Sequence, residues 1–349
     1  MRLLLVSDAW LPQVNGVVRT LVTLVTRLTA DGHQVEVISP DGFRTIPCPS
    51  YPEIRLALFP DRVVRRRIRD FAPDAVHIAT EGPLGLAANR YCRKNGIAFT
   101  TSYHTRFPEY VHARCRLPLG ISYAFLRWFH GAAKHVMVAT QTIQDALEER
   151  GFDNIVRWTR GVDTDLFRPT AEPLLDLPQP ILLYTGRVAV EKNIQAFLAL
   201  EHPGTKVVVG DGPQRAKLER QFPDAVFVGM RHGEDLARHV ASADVFVFPS
   251  RTDTFGLVLL EALACGVPVA AYPVPGPLDV VGGTDVGALD EDLDAAVARA
   301  LTIDRDACRR FAESRSWEAS VAQFTANLAL ADNRGADRGL EAAPAAAGE

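Results

Sequence analysis

Short apolar segments alternate with amphipathic segments along almost the whole chain. Residues 17–32 show helical spacing of apolar positions and end at an Asp-Gly pair, which is typical of a helix stop. We predict the first-half strands at residues 2–7, 34–39, 54–58, 75–79, 97–101, 135–139 and 154–158. The second-half strands are predicted at residues 181–186, 206–210, 225–229, 245–249 and 267–272.

The alternation predicts an α/β protein. Strands that are apolar on both faces and alternate with helices form parallel sheets covered on both sides. The pattern restarts after a proline-rich stretch without periodicity, so we predict two Rossmann-like domains facing each other across a cleft. The predicted boundaries are 1–168 for the first domain, 169–180 for the linker, 181–330 for the second domain and 331–349 for a disordered, low-complexity tail.

Length, charge and cysteine content narrow the class of protein. A chain of 349 residues with 47% apolar residues suits two domains with real cores. Residues 1–165 carry 21 basic and 16 acidic residues, and the remainder carries 17 and 26, which gives +5 and −9. This asymmetry indicates different partners for the two halves, and the acidic total disfavours a nucleic-acid binder. The odd number of cysteines, the absence of CxxC spacing and the lack of an apolar run of 18 residues predict a cytoplasmic protein that at most lies on a membrane surface.

Ligands of parallel sheets bind beyond the carboxyl ends of the strands, so the loops there are the candidate sites. Asn15-Gly16 precedes a helix after the first strand and leaves bare backbone at a helix start, although a plain turn explains it as well. Arg187 and Lys192 follow a strand of the second half and suit a diphosphate, with solvated surface charge as the alternative. The loop at Gly210-Asp211-Gly212 gives a weaker signal, and this loop and the one at Gly229-Met230-Arg231 would decide which base and hexose bind.

The segment 250–272 places Asp253 and Glu261 on either side of Gly256. A helix starting near Phe255 would aim the amides of Thr254 to Leu257 along a positive dipole end, and Gly256 would let a phosphate approach. Asp253 suits sugar hydroxyls, and Glu261, about two turns into the helix, suits the two hydroxyls of a ribose. The alternative is that Asp253 caps the helix and Glu261 lies on the surface.

These residues resemble a known family. TDTFGLVLLEALACGVPV is similar to the signature of two acidic residues separated by seven that is found in retaining GT-B glycosyltransferases of the family 4 type. The resemblance spans roughly residues 1–330 and is closest to bacterial lipid mannosyltransferases and diacylglycerol glycosyltransferases. The other segments that carry it are Asn15-Gly16-Val17, TSYHTRFPEY, RGVDTDLFRP, TGRVAVEKN, VVVGDGP and SWEASVAQF.

The resemblance implies a role for each site residue. Asp253 stands where the family usually has Glu, so its carboxylate has a shorter reach toward the donor sugar, and His104 would lie near the reacting centre. Gly16 and Val17 would close on the donor from the other domain. The implied donor-binding residues are Gly16, Val17, Arg187, Lys192, Gly229, Thr254, Phe255, Gly256, Leu257 and Glu261. The implied catalytic residues are His104, Asp253, Arg187 and Lys192.

The implied chemistry is sugar transfer from a UDP- or GDP-linked hexose with retention of configuration. The family is proposed to let the leaving diphosphate help to deprotonate the acceptor, and no pair of carboxylates here is placed as nucleophile and acid. We expect no cofactor and no metal ion, although the DTD run at 163–165 superficially resembles a metal-binding motif.

A membrane lipid is the expected acceptor. The basic segment 62–71 and the aromatic segment 123–135 suit an anionic membrane surface, with buried aromatics and solvated arginines as the alternative. A polysaccharide or small-molecule acceptor, a sugar-nucleotide epimerase or hydrolase, and a non-catalytic nucleotide-sugar binding protein remain competing interpretations.

Overall fold

The computed structural model describes residues 1–13, 15–48, 51–104, 107–109, 111, 116–170, 174–251 and 255–330, with residues 51–53 described by their backbone alone. The chain divides into two compact units. The first unit contains residues 1–139, 144–158 and 321–330, and the second contains residues 140–143 and 159–320. The predicted tail and part of the predicted linker, residues 171–173, lie outside the described residues.

The first unit is built on a six-stranded parallel sheet in the order β2-β1-β5-β6-β7-β8. A separate antiparallel hairpin, β3-β4, lies outside this sheet. The strands are β1 Arg2–Val6, β2 Gln34–Ile38, β3 Thr45–Cys48, β4 Tyr51–Ala57, β5 Ala75–Ile78, β6 Thr100–Tyr103, β7 Val136–Val138 and β8 Ile155–Arg157.

The second unit contains a second six-stranded parallel sheet, in the order β11-β10-β9-β12-β13-β14. The strand order reverses at β9, which is the topological switch point of a doubly wound sheet. Its strands are β9 Ile181–Thr185, β10 Thr205–Val209, β11 Val226–Gly229, β12 Val245–Phe248, β13 Val269–Ala271 and β14 Gly287–Leu289.

The helices alternate with the strands along the chain. In chain order they are α1 Gly16–Ala30, α2 Asp61–Phe71, α3 Pro83–Asn95, α4 Leu119–His130, α5 Gln141–Glu148, α6 Ile194–Leu198, α7 Arg215–Gln221, α8 Gly233–Ala241, α9 Leu257–Ala264, α10 Pro275–Val281, α11 Leu293–Ala300, α12 Arg305–Glu313 and α13 Trp317–Asn327. None of the helices in the described part of the chain combines the length and the apolar character that a membrane crossing requires.

The predicted fold class is confirmed, because both six-stranded sheets are parallel and the strands at the centre of each sheet are buried. Two strands of the structure were not predicted from the sequence. The hairpin strand β3 and the edge strand β14 were missed, since each is only three or four residues long and lacks a continuous apolar run.

The predicted strand at 97–101 begins three residues later, at Thr100. The left-handed Gly96 ends helix α3, and the amide of Ile97 donates back to the Cys92 carbonyl at 3.0 Å, so Ile97 belongs to the helix-ending turn. The shift extends β6 to Tyr103, which places His104 directly after the end of this strand.

Residues 321–330 group with the first unit, whereas the sequence placed them in the second domain. Phe324 is fully buried in the first-unit core and its ring lies 4.9 Å from that of Trp158, and Val321 packs in the same cluster. The apolar residues Val321 and Phe324 of the last helix therefore complete the first core rather than the second.

One acidic residue after β1 has a structural role. The Asp8 carboxylate accepts hydrogen bonds from the amides of Leu84 and Gly85 at 2.9 and 3.3 Å, and from the hydroxyl of Thr80 at 2.9 Å. It thereby caps α3, whose own N-cap residue, Gly82, has no side chain to do so. Burial raises the pKa of Asp8 to about 6 despite these bonds.

Candidate active site

The loops after β9, β10 and β11 are tied together by backbone hydrogen bonds at the carboxyl edge of the second sheet. The amide of Gly186 donates to Val209 at 3.0 Å, and that of Gly210 donates to Gly229 at 2.9 Å. A Cβ atom at Gly210 would lie 1.9 Å from the Gly186 carbonyl oxygen, so the loops can approach this closely only with glycine at that position. The result is an edge of bare backbone at the switch point of the sheet.

Arg187 and Lys192 both lie on the loop that leaves this edge after β9. Arg187 is exposed although Val188 after it is buried, and the Arg187 carbonyl accepts a hydrogen bond from the Tyr184 hydroxyl at 3.0 Å. Lys192 ends the 3-10 turn Val190–Lys192 and is partly exposed. The loop thus supplies two cations at the carboxyl edge of the sheet.

Asn193 links this loop to the neighbouring one. It adopts a left-handed backbone with φ 53°, and its side-chain amide donates to the Pro249 carbonyl, just after β12, at 3.1 Å. The bond fixes the backbone beside Lys192 relative to the segment that carries Ser250 and Arg251. The sequence analysis did not single out Asn193, which it included only in the segment TGRVAVEKN. The residue type gives an indication, because asparagine tolerates left-handed backbone better than most residues.

Helix α9 begins at Leu257, two residues later than predicted. Gly256 precedes it with φ 82°, a left-handed conformation that favours glycine, and a Cβ there would contact Phe248 and Leu259 at 3.2 Å. Phe255 and Leu257 flank this glycine and are partly exposed. The first-turn amides of α9 therefore begin next to backbone without a side chain, as the sequence argument required.

Glu261 lies one turn into α9 and not two, because the helix starts later than expected. Only 4% of the residue is exposed, which excludes the interpretation as a surface side chain. Burial raises the pKa of the Cys265 thiol to about 12, and the negative charge of Glu261 adds to this effect. The thiol therefore stays neutral. Glutamate is rarely buried to this extent in folded proteins.

Asp253 and Thr254 lie outside the described residues. The residue that leads into their segment, Arg251, stacks over the ring of Tyr272 at 3.7 Å and pairs with Glu291 at 3.0 Å. These contacts fix one end of the segment. The sequence analysis missed them because they join residues that are far apart in the chain.

The first unit contributes its own candidate residues. Asn15 caps α1 by accepting the Val18 amide at 3.0 Å, which leaves Gly16 exposed at the start of the helix and Val17 half-buried behind it. His104 follows β6 and its ring lies 6.0 Å from the ring of Trp158, edge to face. Both positions are at the carboxyl ends of first-unit strands.

The DTD run has a local structural use. The Asp163 carboxylate accepts the amides of Asp165 and Leu166 at 3.1 and 3.0 Å and so stabilises the turn that begins there. Within the described ranges, no group of three or more histidine, cysteine or acidic residues is arranged to hold a metal ion.

Comparisons with known proteins identify the family. The family model Glycosyltransferase Family 4 matches residues 14–166, and Glycosyl transferases group 1 matches residues 179–303. A GDP-mannose-dependent alpha-mannosyltransferase of Mycobacterium tuberculosis is 32% identical over 90% of this chain and 93% of its own length. An alpha-monoglucosyldiacylglycerol synthase of Streptococcus pneumoniae is 29% identical over 93% of this chain and 83% of its own.

Solved structures share the fold. Sucrose-phosphate synthase from Thermosynechococcus elongatus superimposes with a TM-score of 0.75 at 21% identity, covering 93% of this chain and 97% of the other. Anabaena HepE in complex with UDP gives a TM-score of 0.72 at 16% identity, covering 93% and 99%. The chain therefore belongs to the GT-B glycosyltransferases of the family 4 type and is a hexosyltransferase.

Proposed function

We propose that this enzyme moves a hexose from a nucleoside diphosphate sugar to a hydroxyl of a membrane lipid, with retention of configuration. The observation that carries the proposal is the carboxyl edge of the second sheet, where Arg187 and Lys192 follow one strand and the buried Glu261 follows another. Cations suit the donor diphosphate, and a buried carboxylate suits the ribose diol. Bare backbone at Gly210 and Gly256 lets the donor approach.

The chemistry follows from what each group can do. Arg187 and Lys192 stabilise the negative charge that develops on the leaving diphosphate, which is the main electrostatic demand of the transition state. The family resemblance assigns Asp253 and His104 to hydroxyls of the donor sugar, and Gly16 and Val17 to the donor. The leaving phosphate oxygen takes the proton of the acceptor hydroxyl on the same face of the sugar, so the configuration is retained. No metal ion is required, since the two cations supply the charge.

The names of the relatives narrow the substrates. The M. tuberculosis relative is named for GDP-mannose and the S. pneumoniae relative for monoglucosyldiacylglycerol. We propose GDP-mannose or a UDP-hexose or UDP-hexuronate as donor, and diacylglycerol or a glycolipid as acceptor. An enzyme of this kind acts in the cytoplasm, where nucleotide sugars are found, on the inner face of the membrane.

The test is a transfer assay with radiolabelled GDP-mannose, UDP-glucose and UDP-glucuronate. Each donor is offered dioctanoylglycerol, a monohexosyl dioctanoylglycerol or no acceptor, with and without EDTA. We expect one donor class to label a lipid product whose new linkage keeps the donor's anomeric configuration by NMR, at a rate that EDTA leaves unchanged. Free sugar or an epimer formed equally well without acceptor would instead favour a hydrolase or epimerase.

A Glu261→Gln substitution tests the ribose contact. It keeps the size of the side chain and removes the charge that strengthens hydrogen bonds from the ribose, which are worth about 1.5–3 kcal/mol. We expect calorimetry to show 10- to 100-fold weaker binding of the preferred nucleoside diphosphate. The matched control is Glu313→Gln, which removes a surface pair with Arg309. Unchanged affinity with a lowered melting temperature would make Glu261 a purely structural residue.

Helix α2 supports the membrane part of the proposal. Arg62, Arg65 and Arg66 are exposed on it, and none of the described residues forms a salt bridge with them. Just before the helix, Phe59 is 92% exposed and the neighbouring Leu58 is also exposed. Exposed arginines beside a protruding aromatic ring suit an anionic membrane surface.

Not all of the basic segment is available for this purpose. Arg67 pairs with Glu36 at 2.8 Å and also donates to the Val37 carbonyl, so it is held against the sheet. In the aromatic segment 123–135, Tyr123 and Phe129 are buried, and only Trp128 among the large aromatics is well exposed. The alternative of buried aromatics therefore holds for most of that segment, and α2 is the stronger candidate surface.

Changing Arg62, Arg65 and Arg66 to Ser tests this surface. Each arginine near an anionic membrane contributes about 1 kcal/mol, so vesicles containing phosphatidylglycerol should bind the triple variant on the order of a hundredfold more weakly. Nucleotide affinity should stay the same. The control variant changes the second-unit residues Arg220, Arg238 and Arg310 to Ser and removes the same charge. If both variants lose vesicle binding equally, net charge and not α2 is responsible.

A further inference from the structure

Two tyrosines and a glutamate of the first unit form a polar cluster at the end of β6. Tyr103 is the last residue of this strand, Tyr123 lies on α4, and Glu109 lies in the segment between them. The Tyr123 hydroxyl donates to Oε1 of Glu109 at 2.7 Å. This hydrogen bond satisfies one carboxylate oxygen of Glu109 and does not involve the other, Oε2.

Two buried atoms of this cluster have no hydrogen bond within the described ranges. They are Oε2 of Glu109 and the hydroxyl of Tyr103, a residue that is 3% exposed. The Tyr103 hydroxyl lies near that of Tyr123, and this interaction helps to raise the pKa of Tyr103. An unsatisfied buried polar group costs about 1–3 kcal/mol, and more when it is charged. Native proteins retain few such groups, and a functional role is one reason for retaining one.

The chemistry of the two atoms specifies what would satisfy them. A carboxylate oxygen only accepts hydrogen bonds, so its partner must donate. Burial raises the pKa of Tyr103 well above its ordinary value, so its hydroxyl is protonated and can donate. A hydroxyl group meets both demands, because it donates to Oε2 and accepts from Tyr103.

The charges around the cluster disfavour a phosphate as the occupant. Glu81 and Glu109 both bring negative charge toward Tyr103, and Glu109 also contributes to raising the pKa of Tyr123 to about 12, an effect due mainly to burial. Arg150 lies over the face of the Tyr123 ring at 4.7 Å, and its guanidinium also donates to the Ala146 carbonyl. Among the described residues, the charges around the cluster therefore favour a neutral hydroxyl group.

The same stretch of chain also exposes apolar side chains. Phe107, Leu117 and Ile121 are between about one-third and three-fifths exposed, and they lie two residues before Glu109, on the approach to α4 and two residues before Tyr123. An acceptor with a hydroxyl-bearing headgroup and an apolar tail fits both features. A purely polar polysaccharide would leave the apolar side chains unused.

We propose that Glu109 and Tyr103 form a subsite that binds a hydroxyl of the acceptor's sugar or polyol headgroup. The inference rests on the proposed function and deepens it by naming residues that select the acceptor. Diacylglycerol has a single hydroxyl, which is consumed in the transfer. A subsite with both an acceptor and a donor is best used by a second hydroxyl, so the enzyme prefers a lipid that already carries a sugar. Tyr123 is a positioning residue that orients Glu109.

The test compares monohexosyl dioctanoylglycerol with dioctanoylglycerol as acceptor in the wild type, Glu109→Gln and Tyr103→Phe. We expect the wild type to have the lower KM for the sugar-bearing lipid. Glu109→Gln should raise that KM 10- to 100-fold and Tyr103→Phe by a smaller factor, while KM for the donor and KM for dioctanoylglycerol hardly change. The controls are Glu148→Gln and Tyr91→Phe, which alter an exposed glutamate and a tyrosine on another helix of the same unit.

A binding measurement separates this subsite from the transfer reaction. Octyl glucoside below its critical micelle concentration is the probe, and saturation-transfer NMR reports its contacts. Binding that is weakened in Glu109→Gln but not in Glu148→Gln supports the subsite even if no donor is found and the transfer proposal fails. Equal binding in both variants, or an unchanged preference between the two lipids, overturns the subsite while leaving an observed transfer intact.

Discussion

The donor side of this enzyme depends on the close approach of backbones at the carboxyl edge of the second sheet. Gly210 packs against Gly186 so tightly that even a methyl group would collide with a carbonyl oxygen. This contact sets the position of the loop that carries Arg187 and Lys192, and Asn193 then ties that loop to the strand leading to α9. Cations, amides and the buried Glu261 are thus placed by backbone geometry, which reorganises little when a charged ligand binds.

The two units share the same type of sheet but differ in the charges that they present. The second unit is acidic overall, yet it presents its two cations at the edge where phosphates bind to doubly wound sheets. The first unit is basic overall and has three exposed arginines, Arg62, Arg65 and Arg66, on α2, while its buried polar cluster at the end of β6 carries negative charge. The exposed arginines suit an anionic membrane surface, and the negatively charged cluster suits a neutral headgroup hydroxyl. A membrane lipid as acceptor fits both features.

The sequence predicted the features that local chemistry controls. The parallel sheets followed from apolar runs alternating with helices, Asn15-Gly16 was placed just before a helix, and Gly256 was placed beside the start of α9. Features that depend on long-range packing were not accessible. The pairing of Arg67 with Glu36 and the stacking of Arg251 on Tyr272 join residues far apart in the chain. Glu109 showed nothing unusual in the sequence, because its significance arises only when burial leaves one of its oxygens without a donor.

We propose that the second unit binds a diphosphate through Arg187 and Lys192. The most direct measurement is a calorimetric titration with UDP and GDP and with the corresponding monophosphates, on the wild type and on Arg187→Ala/Lys192→Ala. Charge-assisted hydrogen bonds to the second phosphate should make the preferred diphosphate bind at least about 10-fold more tightly than its monophosphate, and the double variant should lose that difference. Equal affinities for diphosphate and monophosphate in the wild type would contradict the account.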